Sequence, residues 1–215
     1  MAKVPTDRTQ PSPAAAMADD AKHRGVPKQR LDALSDGVFA FAMTLLAINL
    51  DLPSSVEVTS PGQLLGLLAG LQDSLLVYLI SYTVLGARWI RIAKDHGTDL
   101  WCSYAYARAV LVHLFFVTLT PFATKVVGNY GDLWPAVCLY AAITICAALS
   151  FSHAANLLAA HEKTVRSAQE RFDLTVLIAT ALLSCAIAFV APAYSMYAYL
   201  LNVVTPFVDR LWRRA

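Results

Sequence analysis

The stretch RLDALSDGVFAFAMTLLAINLDLP, residues 30–53, opens on charge, runs apolar for most of its length, and stops at Asp51 and Pro53. About 20 mostly apolar residues are enough to cross a bilayer as a helix. Yet this run carries Ser35, Asp36, Thr44 and Asn49. Placing its residues at about 100° intervals gathers Leu34, Phe41, Leu45, Ile48 and Leu52 into one narrow strip. Beside it runs a second strip, Ala33, Gly37, Ala40, Thr44 and Ala47, small at every step. Small residues at this spacing let helix backbones approach closely in lipid. Spacing alone leaves two readings open. Either both strips pack on other helices of the same chain, or the small strip packs while the bulky one points elsewhere.

Outward from this helix, the composition supports a membrane protein. Hydrophobic residues make up 57% of the 215, charged residues 15%, and the mean hydropathy is +0.52. A soluble domain carries about 25% charged residues, so one water-facing shell cannot hide this much apolar surface. The expected class is all-α and polytopic, with spans near 31–52, 74–93, 103–123, 133–152, 173–190 and 193–212. The short apolar run 63–72 reads as an interfacial lead-in to the second span. Residues 1–28, rich in Pro, Ala and charge, have no apolar core; they read as a flexible cytoplasmic tail, leaving 29–215 as the membrane domain.

Cytoplasmic loops carry the excess Lys and Arg. An N-in, C-in arrangement of six spans puts every one of the 17 Lys and Arg residues except Lys125 on one side. The net charge of +2 gives no footprint for nucleic acid. Cys102, Cys138, Cys146 and Cys185 form no CxxC pair and sit in apolar runs, so they read as buried free thiols. Tyr and Trp at span ends, such as Tyr78, Trp101, Tyr130 and Trp134, read as interfacial anchors.

A carboxylate as deep as Asp36 needs a partner. Arg30, Arg88 and Arg91 are the candidates for a structural ion pair; a proton relay is the alternative reading. His113, deep in the third span, reads as hydrogen-bonded within the bundle, with pH sensing as its alternative. No HExxH and no GxSxG occurs, so neither a metalloprotease nor a serine hydrolase has its machinery, and no enzyme, cofactor or resident metal is expected. Residues 126–131, VVGNYG, look like a potassium-filter sequence, but Asn129 splits the run and no segment remains for a pore helix. Gly128, Asn129 and Gly131 read as a tight turn.

Arg30-x-x-x-Leu34-Ser35-Asp36-Gly37 followed by VFAFAMTLL resembles the RxxxFSD signature that opens the first helix of the transmembrane protein 175 family, the lysosomal-type potassium channels. YLISYTVLGARWI (78–90) resembles that family's second helix. LTPFATKVVGNYGDLWPAVCLYAA (119–142) resembles the end of its third helix, the outer turn and its fourth helix. The resemblance covers roughly residues 30–210 and implies a prokaryotic, single-repeat member. It further implies a homotetramer in the cell (plasma) membrane, with the first helix of each subunit lining a central pore for potassium.

On that resemblance Phe41, Thr44, Leu45 and Ile48 form the pore constriction, while Arg30, Ser35, Asp36, Trp89 and Arg91 form a supporting network. Apolar rings constrict a pore and gate it by dewetting. The implied partners are three further copies of the chain, lipid and permeating potassium. Three positions depart from the family pattern. The signature Phe is Leu34, and no His pair follows Trp89, which leaves Arg88 or Arg91 to anchor the network. Phe41 replaces an aliphatic residue; four phenyl rings at one level close the pore, move its gate, or must swing aside. Two other classes stay open: a carrier binding substrate at broken helices, and a structural membrane protein that conducts nothing.

Overall fold

The structure, a computed structural model, describes residues 25–52, 58–94, 100–161 and 168–202. The expected tail, residues 1–28, and the end of the sixth expected span therefore fall largely outside the described residues. Helices α1 (Lys28–Ile48), α3 (Gln72–Lys94), α4 (Tyr104–Tyr130), α5 (Trp134–His161) and α6 (Ala168–Ala188) make up the bundle. Each contains a stretch long and apolar enough to cross a membrane, giving five such helices among the described residues. Beyond α6 the chain turns at Ala191 and enters a 3₁₀ helix, Pro192–Tyr199, with Pro192 at its first position, where a missing N–H costs nothing. This segment covers the start of the sixth expected span, and helical residues continue it to Asn202.

Helix α4 is the hub, packing on α1, α3 and α5, while α5 packs on α6 and α6 on the 3₁₀ segment. Both α4 and α5, which pack on each other, bury many alanines: Ala107, Ala109 and Ala123 on one helix, Ala136, Ala141, Ala147, Ala148 and Ala154 on the other. Bilayer-embedded helices gain little from hydrophobic transfer between themselves, so close backbone approach and dispersion carry this contact. Larger groups fill the space between α3, α5 and the 3₁₀ segment, with Ile80, Tyr140 and Tyr199 almost fully buried. Pro121 lies inside α4, where it removes one backbone donor; Thr120 and Thr124 hydroxyls bond back to carbonyls one turn earlier around it. Neighbouring helices and Thr side chains make such a proline tolerable in a membrane.

Several elements differ from expectation. The all-α reading omits a small antiparallel pairing, β1 (Gly25–Pro27) with β2 (Trp101–Ser103), in which Val26 faces Cys102. Three residues per strand are too few for a recognisable alternation. A side chain at position 25 would run into the Cys102 carbonyl, so Gly25 suits this close pairing. The Lys28 N–H donates to the Leu100 carbonyl at 3.0 Å and extends the clamp to the first residue of α1.

The 63–72 lead-in is a helix in its own right, α2 (Pro61–Gly70), separated from α3 by a break at Leu71. Ser60 and Gln63 cap it reciprocally, with Pro61 at the first position, and it buries no residue. Gly128 and Asn129 do not form a turn. They complete α4, and the turn comes at Gly131–Leu133. Gly128 offers its carbonyl to the Ser74 hydroxyl of α3 at 3.3 Å, an interhelical contact.

Cys138 and Cys185 are not free thiols: they form a disulfide joining α5 to α6. Each sits alone in an apolar run, and a separation of 47 residues carries no sign of contact. Only the packing of α5 against α6 brings their Cα atoms to 5.2 Å. Cys102 and Cys146 are free.

Candidate pore-lining helix and its anchoring contacts

Helix α1 buries one face within the subunit. Leu31, Ser35, Phe39, Ala42 and Leu46, spaced by three and four, are all buried, and Phe39, Ala42 and Leu46 pack with Leu85 of α3 and Leu114 and Val117 of α4. Both strips identified in the sequence lie off this face. Phe41 is 66% exposed and Ile48 65%; Leu34 and Leu52 are also exposed, and Leu45 is half-buried. In the small strip Ala33, Gly37, Ala40, Thr44 and Ala47 are all exposed, and open space surrounds the position a Gly37 side chain would take. The reading in which both strips pack on helices of the same chain is thus corrected: a third face, built on Leu31, Phe39 and Leu46, does that packing. Ala33, Gly37, Phe41 and Leu45 instead border an open apolar groove of about 500 Å³ that reaches Thr118 of α4.

Thr44 donates its hydroxyl proton to the Phe41 carbonyl at 2.8 Å. With its proton committed to the backbone, its oxygen lone pairs are what remain for a cation. Ser35, one of the expected network residues, donates to the Leu31 carbonyl of its own helix at 2.9 Å. Among the described residues Asp36 forms no ion pair with an arginine. Its carboxylate accepts the indole N–H of Trp89 at 2.9 Å.

The geometry of α3 explains the difference, because consecutive residues point about 100° apart. Trp89 turns to α1. Arg88 turns into the bundle, where it is buried and donates to the Thr144 carbonyl at 3.0 Å. Arg91 turns to α6 and pairs with Asp173 at 2.8 Å. Arg30 is exposed near the start of α1. Of the five expected network residues, the structure joins Asp36 to Trp89 and sends Arg91 elsewhere.

Two contacts at the far end of α1 were not anticipated. The Asn49 amide donates to the Pro121 carbonyl at 2.8 Å, and Asp51 pairs with Lys125 at 3.2 Å. Lys125, the lone cation expected on its side, thereby holds the end of α1 against α4. A signal existed in the polar Asn49 and Asp51 closing an apolar run, but their partners lie more than 70 residues away.

His113 is buried, with Nδ1 on the Ala147 carbonyl at 2.9 Å, and rings of Phe39 and Phe151 beside it. A buried polar ladder links α4, α3 and α5: the Thr124 hydroxyl, its proton on the Thr120 carbonyl, shares a 2.8 Å hydrogen bond with Ser81, and Ser81 shares one of 3.0 Å with Tyr140. Among the described residues no group of His, Cys, Asp or Glu has the makings of a metal site.

The family described as endosomal/lysosomal potassium channel TMEM175 matches residues 30–121, which span most of α1, all of α2 and α3, and α4 as far as Pro121. A potassium channel of Chamaesiphon minutus is 26% identical over 182 residues, 83% of this chain and 89% of that protein. A potassium channel of Streptomyces collinus is 28% identical over 126 residues, 57% of this chain and 60% of its own length. The crystal structure of a lysosomal potassium-selective channel TMEM175 homolog from Chamaesiphon minutus superposes with a TM-score of 0.69 at 25% identity. It covers 83% of this chain and 96% of its own. By signature, sequence and fold together, the chain is similar to the TMEM175 potassium channels, which are ion channels and not enzymes.

Proposed function

We propose that this chain is one subunit of a homotetrameric, potassium-permeable cation channel whose four α1 helices line a central pore. The observation that carries the reading is the unpartnered face of α1. A helix that buries Leu31, Phe39 and Leu46 in its own subunit leaves a bulky apolar strip and a small-residue strip side by side, both exposed. Lipid would cover bulky residues, but it gives no reason for a small-residue strip beside them; a neighbouring helix does. In a ring of four copies the small strip packs against neighbouring subunits, and Phe41, Leu45 and Ile48 face the axis.

At that axis apolar rings exclude water, so an ion sheds much of its hydration at the narrowest ring. Potassium, the more weakly hydrated ion, loses less than sodium in doing so. Thr44 adds four hydroxyl oxygens near the same level, their protons already committed to the Phe41 carbonyls. Asp36, held by Trp89, and Asp51, held by Lys125, tie the two ends of α1 to α3 and α4.

This reading places both termini on the cytoplasmic side of the cell (plasma) membrane. The Lys and Arg bias supports it, and so does the disulfide. Cys138 lies near the start of α5 and Cys185 near the end of α6, at the same end of the bundle as Lys125. Disulfides persist in oxidising, extracytoplasmic compartments.

Purified protein in a planar bilayer under a potassium gradient tests the function. Single-channel steps reversing near the potassium equilibrium potential are expected. Slow saturable flux without steps would make the protein a carrier, and silence a structural component. Subunit counting in detergent tests the tetramer.

A further inference from the structure

Arg88 is 4% exposed in the middle of an apolar bundle, and its guanidinium makes one hydrogen bond, to the Thr144 carbonyl, among the described residues. A guanidinium has five N–H donors and a charge that does not leave it. Among the described residues no carboxylate forms an ion pair with it; Asp173, the nearby acid, is paired with Arg91 one turn further along α3. A cation in such surroundings is costly without an anion. Arg88, Arg91 and Asp173 line a pocket of about 60 Å³ between α3 and α6, together with Ala87 and Val176. Roughly 10–15 Å³ is enough for one water, so this pocket has room for a larger polar group. Among the described residues its charged lining sums to one net positive charge, while Val84, Val176 and Leu177 give it apolar walls.

We propose that this pocket binds the phosphate of an anionic phospholipid. Two arginines one helical turn apart present planar donor forks matched to phosphate oxygens. Arg88 lies six residues before Lys94, the last residue of α3, or about 9 Å along the axis. That is a depth a headgroup reaches by a modest dip. The apolar walls above the arginines take the first carbons of an acyl chain. This end of α3 is the Lys/Arg-rich one, and basic pockets between helices on that side suit anionic headgroups. A bound lipid would wedge α3 to α6 and neutralise the buried charge.

The test is native mass spectrometry of the full-length protein in mild detergent with phosphatidylglycerol, phosphatidylcholine or inorganic phosphate. Wild type is expected to retain about one phosphatidylglycerol per subunit in preference to phosphatidylcholine. Arg88→Gln and the pocket-filling Ala87→Trp should each lower that retention by about tenfold or more, the loss of one charge-assisted contact. Ala87 is exposed, so Ala87→Trp keeps the test alive if Arg88→Gln fails to fold. Undiminished retention in Ala87→Trp, or equal retention of phosphatidylcholine, overturns the proposal. Occupancy by inorganic phosphate with no lipid retained also overturns it, by making the ligand a free anion.

Discussion

The indole N–H of Trp89 on α3 donates to the Asp36 carboxylate on α1 at 2.9 Å, fixing the entrance end of the candidate pore helix by a tryptophan where an arginine was expected. A hydrogen bond to a charged acceptor contributes about 1.5–3 kcal/mol. This one is partly exposed, so about 1 kcal/mol is the better expectation. Trp89→Phe removes the donor and should lower the stability of the solubilised protein by that amount, measured as a shift of its unfolding midpoint in mixed detergent. Asp36→Asn keeps an acceptor oxygen and should cost less. The opposite ranking would mean that Asp36 is held by its charge and not by Trp89.

Phe41 and Phe122 are comparably exposed, 66% and 58%, but sit on α1 and α4 respectively. Phe41→Ala is expected to raise single-channel conductance, because a narrow apolar ring is widened. A barrier lowered by only about 0.7 kcal/mol gives roughly threefold. Leu45→Ala should weaken potassium over sodium discrimination. Phe122→Ala should leave both unchanged. Currents altered by Phe122→Ala and indifferent to Phe41→Ala would move the pore away from α1.

The Cys138–Cys185 disulfide closes a 47-residue loop. In the chain-entropy account such a crosslink contributes at most about 4 kcal/mol, and typically about 2–4. A helical bundle held in detergent keeps much of its order when unfolded, which favours the lower end. Cys138→Ser with Cys185→Ser should lower the unfolding midpoint, and a reductant should lower that of the wild type but not of the double variant. Reductant sensitivity that persists in the double variant would show that another pairing carries the effect.

Five of the six expected spans, the two strips of α1 and the membrane setting were legible because each rests on local composition or on the helical period. Phe41 and Ile48 leave the subunit core for the reason their spacing gave: they share an arc that Leu31, Phe39 and Leu46 do not. What the sequence concealed are pairings between distant segments. Cys138 with Cys185, Asn49 with Pro121 and Val26 with Cys102 each depend on which helices pack side by side, and no local pattern encodes that. Arg88, Trp89 and Arg91 show the same limit at closer range. All three were visible at the end of α3, yet their different partners follow from the direction each side chain takes off one helix.

The free thiol of Cys102 is buried in β2, where Sγ donates to the Val26 carbonyl. Burial, and then the charge of Asp32, pushes its pKa up. A thiol with a raised pKa holds less thiolate at every pH below it, and the thiolate is the reactive form. Maleimide labelling at Cys102 should therefore be slow at neutral pH and begin at a higher pH than for an exposed cysteine. Gly25→Ala, which forces β1 away from the Cys102 carbonyl, should bring the onset back toward neutral. Fast labelling of wild type at pH 7 would mean that the β1–β2 clamp opens readily.

Asp51 and Lys125 form an exposed pair at 3.2 Å, worth at most ~1 kcal/mol to stability. Its larger consequence is electrostatic. If α1 lines the pore, four Asp51 carboxylates ring one mouth, each neutralised by a Lys125. Lys125→Ala uncovers those negative charges and concentrates cations at the mouth, so conductance should rise; Asp51→Asn should lower it. The two effects belong at low salt, where the Debye length is about 30 Å at 0.01 M, and should fade toward 1 M, where it is about 3 Å. Both are read from single-channel amplitudes across that range. Equal amplitudes for wild type, Lys125→Ala and Asp51→Asn at 0.01 M would place this end of α1 away from the ion path.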